Sequence, residues 1–152
     1  MLAALRPDSW DFPLFLHVLG AMVLVGGLLA GASALAFARG DVRSLRIGYW
    51  SLLAVSLPGW VLMRIGAEWI YSREGWDDLP EGVDDPAWLA IGATIGDLGG
   101  LILLVALVLG GVGVRRLRQE RGAGLLKATL ILSLVLLAAY VVAVWAMAGK
   151  PD

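Results

Sequence analysis

The chain has 152 residues, of which 59% are apolar and 16% charged, with a formal net charge of -1 and a mean hydropathy of +0.81. These values exclude an ordinary soluble domain and fit an integral membrane protein, with room for four spans of about 20 residues and short connections. The lack of cysteine excludes disulfides, thiolate metal sites and a cysteine nucleophile.

The first apolar segment is predicted over about 13–39. Asp11 can cap it, Phe12 and Pro13 open its first turn, and Gly40-Asp41 stops it. A cleaved signal peptide is the competing reading, because Ala32-Ser33-Ala34 offers small residues. The leader from Met1 to Asp11 is not cationic, however, and the apolar run is too long, so an uncleaved span is expected. Small residues recur along it at helical spacing: Gly20, Ala21, Gly27, Gly31 and Ala34, with Leu24 the one bulky interruption. Gly27 and Gly31 form a GxxxG step, which predicts close helix approach and marks Gly20, Gly27 and Gly31 as packing positions. His17 lies on this stripe and is expected to face the bundle or a partner chain.

The second segment is predicted over about 47–71 and carries Arg64 and Glu68, spaced i,i+4 so that they can pair along one helix face. Pro58-Gly59 precedes Arg64 by one to two turns. Proline there removes one backbone hydrogen bond and frees the carbonyl near Ala54, which predicts a kink opening space below the charged pair, either a pocket or a volume filled by Trp60. The third segment, about 86–114, opens on Asp85-Pro86 and carries Asp97. The fourth, about 125–148, carries Lys127 near its start, where the side chain can snorkel to the interface. The fold class is therefore an all-α integral membrane protein, a single four-transmembrane-helix bundle over residues 1–152.

Charge sets the expected topology. Arg39, Arg43 and Arg46 flank the first connection and Arg115, Arg116, Arg118 and Arg121 the third, which assigns both to the cytoplasm. The connection 72–85 holds Glu74, Asp77, Asp78, Glu81, Asp84 and Asp85 against the single Arg73, and belongs outside with both termini. The expectation is N-out, C-out, multi-pass, in a cell membrane. Trp10, Trp69, Tyr71, Trp88 and Trp145 then fall at the outer ends and Tyr49 and Trp50 at the inner boundary, while Trp60 sits mid-span against another helix.

At about 1.5 Å per residue, His17, Arg64, Glu68 and Asp97 share one layer within roughly the outer 10 Å of hydrocarbon. A central Arg or Asp costs roughly 2.5–3.5 kcal/mol, so such residues face protein or water. Asp97 can approach Arg64 from the third helix. Two carboxylates against one guanidinium leave a residual negative charge to be met by a proton, a cation or protonated His17. Set against a ligand site are the structural readings, an interhelical ion-pair network and a hydrogen-bonded packing histidine.

Other chemistry is excluded by pattern. The pairs Gly99-Gly100 and Gly110-Gly111 lack a following Lys-Ser or Lys-Thr, so neither is a phosphate loop. The acidic connection lacks calcium-loop spacing, and no serine has nucleophile-elbow context. The Arg-rich connections are short and explained by topology, so nucleic acid is not an expected partner, whereas anionic lipid heads are within their reach.

Leu16-His17-Val18-Leu19-Gly20, followed by Gly26-Gly27, resembles the early helix of the copper-resistance D type and related small integral membrane families, and more remotely the membrane-bound His-dependent protoporphyrinogen oxidase. Trp145-Ala146-Met147-Ala148-Gly149-Lys150-Pro151 is similar to the tail of the small families. The resemblance covers the first helix and the tail, and it implies that His17 is a haem or metal residue. A second ligand would come from Met22, Met63, another chain, or nowhere, and the chain lacks the clustered Met or His residues that hold a soft metal. The leading expectation is a non-catalytic membrane protein whose polar cluster stabilises the bundle and binds a small ligand, an ion or a partner. The bilayer, a second copy or another membrane protein are its expected partners. The rivals are a redox protein with His17 on haem or a metal and Arg64 on a propionate or quinone oxygen, and a transporter using the Pro58-Gly59 break with Asp97 or Glu68 as the protonatable group.

Overall fold

The computed structural model describes residues 11–75, 86–119 and 121–149. Trp10, the acidic stretch 76–85 with the expected cap Asp85, and Lys150-Pro151 lie outside the described residues. Five α-helices account for nearly all of the rest: α1 (Asp11–Phe37), α2 (Val42–Ser51), α3 (Leu57–Glu74), α4 (Ala87–Arg116) and α5 (Ala123–Gly149). A π-helical turn, Leu52–Ser56, joins α2 to α3 without a break. Val42–Glu74 is therefore one span, and the described residues contain four helices long and apolar enough to cross a membrane.

The second span starts at Val42 rather than near 47, for a reason hydropathy does not register. Asp41 accepts hydrogen bonds from the Ser44 amide at 2.8 Å, the Ser44 hydroxyl at 2.6 Å and the Arg43 amide at 3.3 Å. Those bonds satisfy amides that a helix start leaves open, so the polar turn carrying Arg43 and Arg46 is helical. The turn before it is tight. Arg39 at φ 45° and Gly40 at φ 87° occupy its centre, and the Asp41 amide donates to the Ala38 carbonyl at 2.7 Å, the left-handed pair that a type I′ turn requires. At the other end, Gly75 takes φ 74° and returns its amide to the Tyr71 carbonyl, ending α3.

α1 lies along the whole second span, and the contact is made by small residues. Gly20 faces the backbone of Met63 and Gly59, Gly59 faces that of Leu24, and Gly66 faces that of His17. Lower down, Gly27 meets Ser56, and Gly31 meets Leu52 and Gly48. Glycine permits this approach because no Cβ stands between the two backbones. On the second span the contact positions are Gly48, Leu52, Ser56, Gly59, Met63 and Gly66. The first two steps are four residues each, and an α-helix of about 3.6 residues per turn would carry such a stripe off the seam. The π turn, in which the Leu57 amide reaches the Leu52 carbonyl, takes up the surplus residue and keeps the stripe on α1.

This places the irregularity upstream of the expected kink at Pro58 and Gly59. Pro58 follows the π turn in the middle of this continuous span, where it has no N–H to return to the preceding turn. The residue four before it, Ala54, lies inside the π turn, so the strain of the ring is absorbed in the preceding turn.

α4 and α5 form the second hairpin. Gly99 faces Tyr140, Gly113 faces Leu126 and Gly92 meets Met147. Thr129 donates to Leu125 O at 2.9 Å and to Ala106 O at 3.3 Å, and Ser133 donates to Thr129 O at 2.8 Å. The paired glycines serve two neighbours, because successive helical residues point about 100° apart: Gly99 receives α5 while Gly100 receives Trp60 of α3. Leu24, Leu28, Leu52, Leu103 and Leu136 fill the centre, all at or below 1% exposed. The outward faces are apolar as well, with Met22 68% and Val108 66% exposed. α1 touches α5, but the backbones of α3 and α4 scarcely meet. Long side chains cross that gap.

Candidate functional site

Two side chains of α3 reach α4, one turn apart on the same face. Trp60 donates its indole N–H to the Gly96 carbonyl at 2.9 Å and packs its ring on Gly100. Trp60 is thus packed against α4. Next, Arg64 lays its stem beside Gly96, with Cδ and Nη1 each 3.7 Å from where a Cβ would stand. Its Nη2 donates to Glu68 Oε1 at 2.5 Å and to Asp97 Oδ1 at 2.8 Å. The first bond is the i,i+4 pairing of a helix face, and the second ties α3 to α4.

Burial in this cluster is uneven. The Arg64 side chain is 24% exposed, while those of Glu68 and Asp97 are 64% and 62% exposed. The guanidinium is covered by the carboxylates, and the carboxylates look outward. One cation against two anions leaves a net charge of -1 on the cluster, on groups accessible enough to meet another cation. Exposed pairs of this kind contribute modestly in water, about 1 kcal/mol or less.

Tyr140 completes the layer from α5. Its ring lies over Gly99, the residue is 4% exposed, and its buried hydroxyl has no hydrogen-bond partner. Arg64 and Asp97 are both within electrostatic reach of it. Sequence reading missed this residue, although a tyrosine nine residues inside the end of an apolar helix, rather than at its boundary, is a visible signal. A second buried hydroxyl without a partner belongs to Ser56, in the π turn against Gly27.

His17 is held apart from these charges. Its Nδ1 lies 2.9 Å from the Met63 carbonyl, and because a carbonyl only accepts, Nδ1 carries the proton. Met63 and Arg64 are successive residues, so His17 and the ion cluster occupy neighbouring faces of α3. His17 therefore meets a backbone oxygen rather than the surplus negative charge of the cluster. Of the other ligands considered for it, Met22 is 68% exposed and Met63 meets it through its backbone. Among the described residues no group of three or more His, Asp or Glu side chains is placed to hold a metal ion. A metal or haem at His17 would draw its remaining ligands from elsewhere.

The expected packing glycines Gly20, Gly27 and Gly31 all lie in the α1 seam. Lys127 is exposed in the first turns of α5. The arrangement offers ion pairing, hydrogen bonding and a surplus carboxylate. The four apolar helices point to a multi-pass membrane protein. Comparison with protein-family profiles, with curated proteins and with solved structures finds no match.

Proposed function

We propose that the chain is a non-catalytic, multi-pass protein of a cell membrane, N-out and C-out. Its Arg64–Glu68–Asp97 cluster locks the two hairpins together in the outer leaflet and receives a small cationic ligand. The observation that carries this reading is the single guanidinium bonded at once to α3 and α4 where the two backbones scarcely meet. Supporting it are the two carboxylates, both more than half exposed, that share that one positive charge. The charge asymmetry supports the orientation: the Arg-rich ends surround the first and third connections.

The test is thermal unfolding of purified variants in mild detergent. Arg64→Leu removes both bonds, and a loss of about 1–2 kcal/mol is expected, up to about 1 kcal/mol for each exposed pair. Asp97→Asn keeps the Glu68 pair, and its loss should be about half of that. Unchanged stability in both variants rejects the locking role.

One observation favours a second reading, a redox protein with His17 as ligand. The bond from Nδ1–H to a backbone carbonyl fixes the tautomer that leaves the Nε2 lone pair unprotonated, the usual preparation of a ligating histidine. An absorption spectrum and metal analysis of the gently purified chain decide it. A haem band abolished by His17→Ala supports this reading, and colourless, metal-free protein from a haem-replete host removes it.

A further inference from the structure

Two open surfaces of the described chain lie at the end opposite the polar layer. Two shallow grooves meet there at Arg46 and Trp50. One runs from Asp41 along α2 into the π turn at Val55, lined also by Arg43, Arg46, Ile47 and Trp50. The other crosses from α2 to the end of α4 between Arg46, Trp50, Val114 and Arg115. Arg46, Ile47 and Trp50 are exposed, Trp50 to 57%.

We propose that this corner holds an anionic phospholipid, its phosphate between Arg46 and Arg115 and one acyl chain along the α2 groove. The proposal rests on the membrane reading above. Charge is its first support. Neither Arg46 nor Arg115 has an ion-pair partner among the described residues, whereas Arg43 faces Asp41, whose carboxyl it helps to hold in the charged form. Two guanidiniums on separate helices, flanking one groove, suit a phosphate, which accepts several charge-assisted hydrogen bonds at once. The apolar part of the groove is the second support. From Ile47 to Val55 the groove follows roughly 12 Å of helix at about 1.5 Å per residue, most of the roughly 15 Å of hydrocarbon in one leaflet. A soluble anion would use the arginines and leave Ile47, Trp50 and Val55 uncovered, while a zwitterionic lipid would cancel much of the attraction through its own cation.

The test uses the full chain in mild detergent, offered equal amounts of phosphatidylglycerol and phosphatidylcholine and examined by native mass spectrometry. The native chain should retain the anionic lipid about tenfold more than the zwitterionic one, as expected from arginines near a phosphate plane. R46Q/R115Q should bring the two lipids to parity, R46K/R115K should keep most of the preference, and R121Q, at the same end but outside both grooves, should leave it intact. Equal retention of both lipids by the native chain, or an undiminished preference in R46Q/R115Q, overturns the site. Matching unfolding temperatures for native and variant chains ensure that parity is not misfolding. An alkaline wash of host membranes separates the two levels: a chain that stays in the membrane but shows no preference sinks the lipid site alone, and one released by the wash sinks the membrane reading with it.

Discussion

Placing one methyl group on Gly20 should unseat α1 from α3. The Cβ of Gly20→Ala would stand 2.7 Å from Met63 Cα and 2.8 Å from the Gly59 carbonyl oxygen, against about 3.5–4.0 Å for a comfortable contact between carbon atoms. Those neighbours are backbone atoms and cannot swing aside, so the helices must part by about 1 Å, and the cost belongs at the upper end of the roughly 1–3 kcal/mol of overpacking. Alanine returns about 0.8–1.0 kcal/mol of helix propensity, leaving a net loss of about 2 kcal/mol. Gly26→Ala is the matched control, because nothing lies within 4 Å of its Cβ, and it should gain up to about 1 kcal/mol. Followed by tryptophan fluorescence during thermal unfolding in detergent, the two variants should differ by roughly 6–12 °C. Gly31→Ala should fall between them, since its nearest neighbour is the flexible side chain of Leu52 at 2.7 Å. Equal unfolding temperatures for Gly20→Ala and Gly26→Ala would refute backbone contact along the seam.

Trp60→Phe keeps an aromatic ring near Gly100 but loses the bond to Gly96 O, and should cost about 1 kcal/mol; a neutral result would show that this bond adds nothing to stability. Ser56→Ala and Tyr140→Phe remove hydroxyls that are buried without partners, so both should be neutral or stabilising by up to about 1 kcal/mol. A clear loss in Tyr140→Phe would instead reveal a bond from that hydroxyl. Asp41 gives a pH dependence. The hydroxyl and amide of Ser44, with the amide and charge of Arg43, hold its carboxyl below the ordinary 3.8. A lowered folded value means that the cap stabilises fully above 3.8 and weakens as pH falls through the folded value. The unfolding temperature should therefore drop on the acid side, and this drop should shrink in Asp41→Ala; an identical acid limb in that variant assigns the drop to other carboxylates.

Local relations are legible in the sequence because they need only helical spacing. Arg64 and Glu68 pair at i,i+4, and Gly20, Gly27 and Gly31 of α1 lie on one stripe that meets the second span. The extra helical turn from Val42 is harder to see, since Arg43, Ser44 and Arg46 lower its hydropathy while Asp41 supplies the cap that makes it helical. The partner of His17 is invisible in principle, because a backbone carbonyl is present at every residue and only packing selects that of Met63.

What the sequence determines by itself is the inventory: four apolar stretches, the few ionisable residues within them, and the glycines that allow close approach. These follow from composition and period alone. The tertiary structure decides which helices use those features. It sets Gly99 against α5 and Gly100 against α3, absorbs the step around Pro58 in a π turn, gives Arg64 to both Glu68 and Asp97, and leaves Tyr140 buried beside them without a hydrogen bond. The physical reason is that a helix satisfies its own backbone locally, whereas side chains from different helices meet only through the azimuth and depth at which whole helices pack.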